Sequence, residues 1–558
     1  MNSDASPEKP FPVAVIEAVF AAGVQEFVVC AGARNSALIV VLAALGDKVR
    51  LWQHFDERAA GFFAIGRIRA TERPVAVVTT SGTAAAELLP AMIEAHYQGL
   101  PLVALTADRP KHYRGSGAPQ AIEQAALFQC YAAGFDFDDA ADLASPGFSF
   151  TPEWNGSSPL HLNVCLEEPG DTASLRAAAG SFAFGFADDP IPEGFPMSRR
   201  AASDPRLAIQ GEPNSRGDLP SGTRGLVGER LLLAGEMLDS ERPELLLLLL
   251  QGGAPVFAEA ASGLRDAPEL QSRLLRCGDA TLRHLPAREV WRFGGVPSLR
   301  FWRDLENRPD IPVQSFSRSG HTGLARVNEL TDFTGYPPIN DATSADRLLA
   351  RDAALSARLG ELLARFPNSE PALFRRLSQV IPPAATVLTG NSLAIREWNL
   401  CAEYGRCHRV HVLRGANGID GNLSAFLGVA VDELEAWCVT GDLTALYDLN
   451  APWMLRQLPP GKRRFVVIQN AGGKIFSRLP SLRGLTERER ALMENPHAVS
   501  LRGWAEMWGM DHATGGAEAL DRAASLAGHA VIELHPNPAE TEAFWTAWEA
   551  AGLEVWGE

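Results

Sequence analysis

The sequence predicts an α/β protein of three α/β domains with parallel sheets, in a chain of 558 residues. Three observations carry this. Short runs rich in Val, Leu and Ala end in turns containing Gly or Ser, helix-forming stretches separate them, and two polar stretches divide the chain. Strand, helix and strand in succession make a βαβ unit, which places the strands parallel and helices on both faces of the sheet.

In the first block, residues 1–187, positions 26–30 (EFVVC) read as a short strand that breaks at Ala31-Gly32. Positions 74–80 (PVAVVTT) form a strand of the buried type, which runs into Ser81-Gly82-Thr83 and a helix predicted over 84–96. Positions 102–106 (LVALT) complete the βαβ unit. From Asp188 to about Gly225 the chain is rich in Pro, Gly, Ser and charge without apolar periodicity, as in an interdomain connection. It opens a second block, residues 188–345, with strands predicted at 231–235 and 254–258 and a packed helix over the leucine run between them. The polar stretch 340–344 and helical residues 346–365 lead into the third block, residues 346–558. Its predicted strands are 385–389, 410–413, 436–440, 464–468 and 530–534. No short-period repeat is present, which disfavours a solenoid.

Composition narrows the function classes. With 46% hydrophobic residues the chain is not a mainly disordered one. Lys and Arg number 51 against 67 Asp and Glu, a net charge of −16. That balance argues against a dedicated nucleic-acid binder, which needs a basic face. The leucine run Leu245 to Leu250 covers only about 9 Å as helix and the longest pure apolar run, Ala37 to Leu45, about 14 Å, against a hydrocarbon core of ~30 Å, so no membrane span is expected. The start, MNSDASPEKPFPVAV, has no basic stretch before an apolar segment, and a cytoplasmic protein without a signal peptide is expected. The seven cysteines lack metal-ligand spacing and read as ordinary thiols. Only five basic residues are lysine, an imbalance that codon usage in a GC-rich genome accounts for. Arginine is also the better fork for carboxylates, so arginines inside motifs are candidates for anion binding.

The sharpest chemical feature is Thr440-Gly441-Asp442-Leu443-Thr444, followed by Gln469-Asn470-Ala471-Gly472-Gly473. Both lie at the C-terminal ends of predicted strands, where open α/β sheets bind ligands. Asp442 and Asn470 supply two hard oxygen ligands, and a carbonyl of the glycine turn can add a third. Mg²⁺ is held by such a partial shell together with phosphate oxygens and water. Gly441 lets the backbone approach a diphosphate, and a helix predicted from about Ala445 would present free N–H groups. Taken singly, each segment reads as an ordinary turn. The interval of 28 residues from Asp442 to Asn470 matches the GDG…N signature of thiamine-diphosphate enzymes. That signature calls for a Glu that hydrogen-bonds N1′ of the aminopyrimidine, and Glu57 in His54-Phe55-Asp56-Glu57-Arg58 is the candidate. The alternative for this segment is a charged helix start on the surface. No G-x-G-x-x-G follows the first strand, which disfavours a nicotinamide-binding reading.

Taken in order, HFDERAAGF, VTTSGTAAAELLPAMIEA, LTADRP, an AxQAI element, GNSLAIRE, RGANGIDG, GDLTALYDLN and NAGGKIFSRLP resemble one family. It is that of the 2-succinyl-5-enolpyruvyl-6-hydroxy-3-cyclohexene-1-carboxylate synthases, thiamine-diphosphate enzymes of menaquinone biosynthesis. The resemblance spans both outer blocks and is thinner in the middle one, where it rests on 258–265 and 292–300. It implies the thiamine-diphosphate-binding fold, with an N-terminal pyrimidine-binding and a C-terminal diphosphate-binding domain. It also implies decarboxylation of 2-oxoglutarate and conjugate addition of the succinyl carbanion equivalent to isochorismate.

By the same resemblance, Glu57 and Gln120 act at the reacting centre, and Asp442, Asn470 and the Gly472 carbonyl hold Mg²⁺, with Mn²⁺ as the alternative ion. Ile419 is the apolar wedge that bends the cofactor, and Ser81, Gly82, Gly418, Gly441, Leu443 and Thr444 are further cofactor contacts. Both substrates are dianions, for which Arg34, Arg109, Arg300, Arg396 and Arg414 are the matching cations. Ser392 adds a hydroxyl, and Ile475, Phe476 and Leu479 an apolar wall. A homodimer or dimer of dimers is implied, in which Glu57 and Asp442 meet across the subunit interface. The sequence departs from the family's pattern at Ala31, Ala33, Asn35, Leu299, Asn417, Gln469 and Ala471. Ala33 and Leu299 fall where the acceptor binds, which leaves open a related carboligase with another acceptor. A third reading is a thiamine-diphosphate-fold protein that binds without catalysis.

Overall fold

In a computed structural model the structure describes residues 9–143, 154, 156–167, 171–180, 230–282, 289–326, 329–331, 346–482 and 484–557. The predicted connection at 188–225 and the polar stretch 340–344 lie outside the described residues. Contacts divide the chain into two compact units, Met1–Phe195 with Asn368–Thr541, and Pro196–Pro367 with Glu542–Glu558.

The first unit contains two parallel six-stranded sheets among the described residues. One is built from β1 (Glu26–Val29), β2 (Arg50–Gln53), β3 (Val75–Thr79), β4 (Leu102–Asp108), β5 (Ala133–Phe137) and β6 (Leu160–Cys165), in the order β2-β1-β3-β4-β6-β5. Every residue of β3, β4 and β6 is buried, as expected when helices cover both faces of a sheet. The second unit carries β7 (Arg230–Ala234), β8 (Val256–Ala258), β9 (Glu289–Phe293), β10 (Val313–Phe316) and β11 (Glu329–Thr331), in the order β11-β10-β9-β7-β8. Separate apolar clusters fill its two faces, one around Leu245 and Phe293, the other around Leu233 and Phe301. The leucine run falls in the helix Arg242–Leu250.

Back in the first unit, β12 (Thr386–Thr389), β13 (Arg409–His411), β14 (Glu435–Gly441), β15 (Lys462–Ile468), β16 (Asp511–Gly515) and β17 (Ala530–Leu534) form the sheet β13-β12-β14-β15-β17-β16. Three parallel-sheet α/β domains are therefore present. The two six-stranded sheets share one topology, with the second strand outside the first, then the third, fourth, sixth and fifth. In each, strand order reverses between the first and third strands, and open α/β sheets bind ligands at the C-terminal ends of strands at such a reversal. The sequence places its motifs on the loops leaving those ends.

Two buried helices join these sheets within the first unit. The helix Glu57–Thr71 is buried continuously from Ala59 to Arg69, and so has no polar face over that stretch. It packs on the helix Asn422–Val429, also buried throughout. A Cβ on Gly66 would lie 2.0 Å from the Ala425 carbonyl oxygen, and one on Gly428 would lie 2.2 Å from that of Phe63. Only glycine allows this backbone-to-backbone approach. It fixes the start of one helix, Glu57, relative to the turn that precedes the other.

Two helix predictions are corrected. The helix expected over 84–96 is two helices, Thr83–Ala86 and Leu89–Gln98. Pro90 has no N–H to donate and fits only a first turn, so the helix restarts there. The helix expected from about Ala445 begins at Asp442. Asp442 is well suited to that first turn, because its Oδ1 accepts the Leu443 N–H at 2.7 Å. Among the described residues no helix is long and apolar enough to cross a membrane.

Candidate active site

The reversal between β1 and β3 gathers the N-terminal candidates. The turn after β1 packs tightly on Thr80, since a Cβ on Gly32 would meet the Thr80 side chain at 2.5 Å. Asn35, where the family pattern has Ser, clamps this turn: its Oδ1 accepts the Gly32 N–H and its Nδ2 donates to the Cys30 carbonyl. Arg34 is buried and donates from Nη1 to the Leu166 carbonyl at 3.0 Å. Leu166 in turn donates its N–H to the Asp108 carbonyl, next to Arg109.

Arg109 donates from Nε to the Pro119 carbonyl at 2.8 Å and lies over the Tyr113 ring, which holds the loop leading into Gln120. Gln120 is exposed, adopts φ +60°, and backs onto Gly82. Gly82 itself has φ +84° and donates its N–H to Gln124 Oε1, while Ser81 is buried beside it. The structure thus brings Arg34, Ser81, Gly82, Arg109 and Gln120 to one sheet end.

Glu57 opens its helix behind Asp56, which caps by accepting the Ala59 N–H. The Glu57 carboxyl is half-buried, and its pKa is raised from the ordinary value. Loss of solvent is the main cause, partly offset by its own backbone amide and reinforced by the negative charges of Asp56 and Glu87. His54 accepts the Asp56 N–H on Nδ1, and burial lowers its pKa to about 4, so it is neutral near pH 7.

The corresponding reversal between β12 and β14 holds the second group. Ser392 takes φ +69° at the start of the helix Leu393–Cys401, and Arg396, exposed one turn on, donates to its carbonyl. Asn391 donates from Nδ2 to both the Leu413 and Gly418 carbonyls at 2.7 Å, tying this turn to the one carrying Arg414, Gly418 and Ile419. Arg414 is buried, and Ile419 is half-buried. Glu94, fully enclosed, accepts the Gly415 and Ala416 N–H groups at 2.8 and 2.7 Å. Burial raises its pKa, against the opposing pull of those amides, Gln98 and Arg414.

At the end of β14, Asp442 Oδ2 accepts the Gly472 N–H at 2.9 Å and lies 3.3 Å from His497 Nε2. Val499 donates its N–H to His497 Nδ1, so Nε2 is the ring nitrogen nearer Asp442. Asn470, just beyond β15, donates from Nδ2 to both Glu370 oxygens, at 3.2 and 3.1 Å. Its Oδ1 is left as the acceptor. Gly472 has φ +120°, and a Cβ there would strike the Glu494 carbonyl oxygen at 2.3 Å. A Cβ on Gly441, by contrast, would meet nothing within 4 Å, so its backbone is approachable. Leu443 is half-buried and Thr444 buried in the first turn that follows. Ile475, Phe476 and Leu479 stand half-buried on the next turn.

These residues fit the expected groups. A carboxylate, an amide oxygen and the Gly472 carbonyl make the hard-oxygen set that Mg²⁺ takes, and the open backbone at Gly441 gives a diphosphate access. Among the described residues, eight non-glycine positions have positive φ, and Gln120, Ser392, Asn417 and Ala471 are four of them. Such strained backbone collects at functional sites. Asp56 and Glu87 bear on Glu57 electrostatically, and Asp442 contacts Leu443, Gly472 and His497. The residues flanking Glu57 also meet the stretch that follows Asp442: Asn450 donates to Asp56, Arg58 donates to the Tyr447 carbonyl, and Phe55 packs on Trp453. Arg300 belongs to the second unit, where it is exposed, lies 3.4 Å from Asp304, and follows the half-buried Leu299.

Sequence reasoning did not single out Glu94, Gln124, Glu370, Asn391 or His497. Asn391 lies inside the GNS motif and Gln124 closely follows the AxQAI element, so both had a local signal. Glu370 had none, being 100 residues from Asn470.

The family described as thiamine pyrophosphate enzyme, N-terminal TPP binding domain, matches residues 13–127. A 2-succinyl-5-enolpyruvyl-6-hydroxy-3-cyclohexene-1-carboxylate synthase of Akkermansia muciniphila is 41% identical over 552 residues, covering 97% of this chain and 98% of the relative. The synthase of Bdellovibrio bacteriovorus is 37% identical, covering 96% and 97%. That of Synechococcus sp. (strain RCC307) is 34% identical, covering 88% and 87%. Among solved structures, benzoylformate decarboxylase from Polynucleobacter necessarius superposes with a TM-score of 0.62 at 12% identity, covering 95% of this chain and 99% of that one. At that identity the likeness concerns the fold.

Proposed function

The chain belongs to the 2-succinyl-5-enolpyruvyl-6-hydroxy-3-cyclohexene-1-carboxylate synthase family, and from that premise we propose how its own residues divide the work. It is a thiamine-diphosphate-dependent transferase that decarboxylates 2-oxoglutarate and adds the succinyl carbanion equivalent to isochorismate, a step of menaquinone biosynthesis. The observation that best supports the assignment of roles is that two sheets of one topology carry complementary groups at the C-terminal ends of their strands. Beyond β2 stands Glu57 with its raised pKa, and beyond β14 and β15 stands the oxygen donor set.

When bound, thiamine diphosphate supplies the electron sink for both bond cleavage and bond formation. Glu57, whose pKa burial raises from its ordinary value, would hydrogen-bond N1′ of the aminopyrimidine and exchange a proton with it. Asp442, Asn470 and the Gly472 carbonyl hold Mg²⁺, or Mn²⁺ in its place, and Gly441, Leu443 and Thr444 face the diphosphate. Ile419 and Gly418 shape the cofactor's bend, while Ser81 and Gly82 line the aminopyrimidine side. Arg34, Arg109, Arg396 and Arg414 bind substrate carboxylates as directional forks, with Arg300 as a further candidate. Ser392 adds a hydroxyl, Gln120 an amide at the reacting centre, and Ile475, Phe476 and Leu479 exclude water. Following the family resemblance, we assign Glu57 and Asp442 to a site completed by a second copy, in a homodimer or dimer of dimers. A cytoplasmic location accords with these small anionic substrates.

An assay of 2-oxoglutarate consumption with thiamine diphosphate and Mg²⁺, with and without isochorismate, tests this reading. The expected result is consumption that accelerates with isochorismate and yields one CO₂ for each isochorismate incorporated. Consumption of the oxoacid with no incorporation of isochorismate would overturn the acceptor, at the positions where Ala33 and Leu299 depart from the family.

A further inference from the structure

We propose that Glu370 is a positioning residue that sets the orientation of the Asn470 side-chain amide, so that Asn470 Oδ1 is the atom offered to the divalent cation. The inference rests on the reading of Asn470 as a metal ligand, and deepens it.

An asparagine amide has two ends of similar shape and opposite chemistry, and only the oxygen can bind a cation. Nothing in the backbone at residue 470 chooses between them. The choice is made by Glu370, which receives Nδ2 on both carboxylate oxygens, at 3.2 and 3.1 Å. Both Glu370 oxygens are taken up by the NH₂ end, which leaves Asn470 Oδ1 as the end that Glu370 does not engage. Glu370 is only 3% exposed, and its backbone is anchored independently by its N–H donating to Thr541 Oγ1 at 3.0 Å. It stands in the first turn of the helix Glu370–Val380, capped by Ser369. The acceptor is therefore held on a fixed element rather than on the glycine turn it controls.

The surroundings support a role beyond packing. Glu397, on the helix that also carries Arg396, is 1% exposed, and its carboxyl oxygens have no hydrogen-bond partner among the described residues. Its strongest charged neighbours are Glu370 and then Arg478. Arg478 also acts on Glu370, as does Asp442 from the cation side. Two buried acids and one arginine thus act on one another electrostatically beside Asn470. Residues that orient ligands in this way are worth about 10–100-fold in metal affinity.

Mn²⁺ binding to the full-length enzyme at saturating thiamine diphosphate, titrated by electron paramagnetic resonance, tests the proposal without reference to turnover. Glu370→Gln is expected to weaken Mn²⁺ binding by about 10–100-fold, because glutamine offers Asn470 an NH₂ and no longer selects its orientation. Asn470→Asp alone should also bind weakly, since its carboxylate would face that of Glu370. In the double variant, the glutamine introduced at position 370 can donate to one oxygen of the aspartate introduced at position 470 and leave the other for the cation, so most of the affinity should return. A merely structural role predicts additive losses instead, and additive losses would overturn the proposal. Unchanged Mn²⁺ affinity in Glu370→Gln, with weakened binding in Asn470→Ala, would refute the positioning role alone. Unchanged affinity in Asn470→Ala would refute the metal reading beneath it.

Discussion

Replacing Glu57 by Gln is expected to lower turnover of 2-oxoglutarate by about 10²- to 10⁴-fold, the usual cost of losing a positioned acid–base group. The substitution keeps the shape of the side chain and its place in the first helical turn, and removes only the titrating proton. Three features of the structure support so large an effect. The carboxyl is half-buried, so desolvation favours its protonated form. Asp56 and Glu87 add negative charge in the same sense. The helix behind it is locked by the Gly66 and Gly428 contacts, so the side chain cannot easily move away to find water. Thiamine diphosphate and Mg²⁺ should still bind the variant. Hydrogen exchange at the thiazolium carbon, followed by NMR, should slow towards that of the free cofactor. Wild-type turnover in Glu57→Gln would remove this residue from the chemistry.

Asp442→Ala should fail in the opposite way. Both oxygens of the Asp442 carboxylate are engaged, Oδ1 by the Leu443 N–H and Oδ2 by the Gly472 N–H. The carboxylate therefore fixes the geometry of both cofactor-facing turns as well as offering charge to the cation. Its removal should weaken Mg²⁺-dependent binding of thiamine diphosphate by more than the ~100-fold typical of outer residues. Raising cofactor and Mg²⁺ should recover part of the turnover, whereas no concentration should rescue Glu57→Gln. Separating affinity from turnover in this way distinguishes a binding group from a group that acts in the chemical step. Cofactor affinity equal to the wild type, measured by titration calorimetry, would refute the metal role of Asp442.

The fold was legible where strands are uniformly apolar. Positions 74–80 and 102–106 read as strands and are β3 and β4, with every strand residue buried. Strands escaped notice for two different reasons. β2, β5 and β16 lie at sheet edges with one side towards solvent, so their sequences lack an apolar run. β6 and β9 are fully or largely buried, yet contain polar residues that break the pattern. In β6, His161 is satisfied by Thr106, and Asn163 by Gln124, Asp108 and Asp136. In β9, Arg292 donates to the Gly294 and His321 carbonyls. Hydrogen bonding makes these polar residues tolerable inside, and sequence spacing alone does not reveal their partners.

The candidate site divides along the same line. Glu57, Asp442, Asn470 and the motif arginines could be named because contiguous motifs carry them. The residues that hold them in place are distant in sequence: Glu94 supports the turn at Gly415 and Ala416, and Glu370 supports Asn470. Motifs give the groups that touch ligand, while the three-dimensional structure gives those that aim them.

The central claim is that Glu57 of one copy and Asp442 of another serve a single thiamine diphosphate. Mixing inactive Glu57→Gln with inactive Asp442→Ala enzyme, under conditions that exchange subunits, tests it most directly. In a two-fold dimer each mixed pair would contain one site with both substitutions and one with neither, so random exchange should restore about a quarter of the wild-type specific activity. If both residues instead served the cofactor within the same chain, every site would carry one substitution. The mixture would then remain as inactive as its components, and the claim would be contradicted.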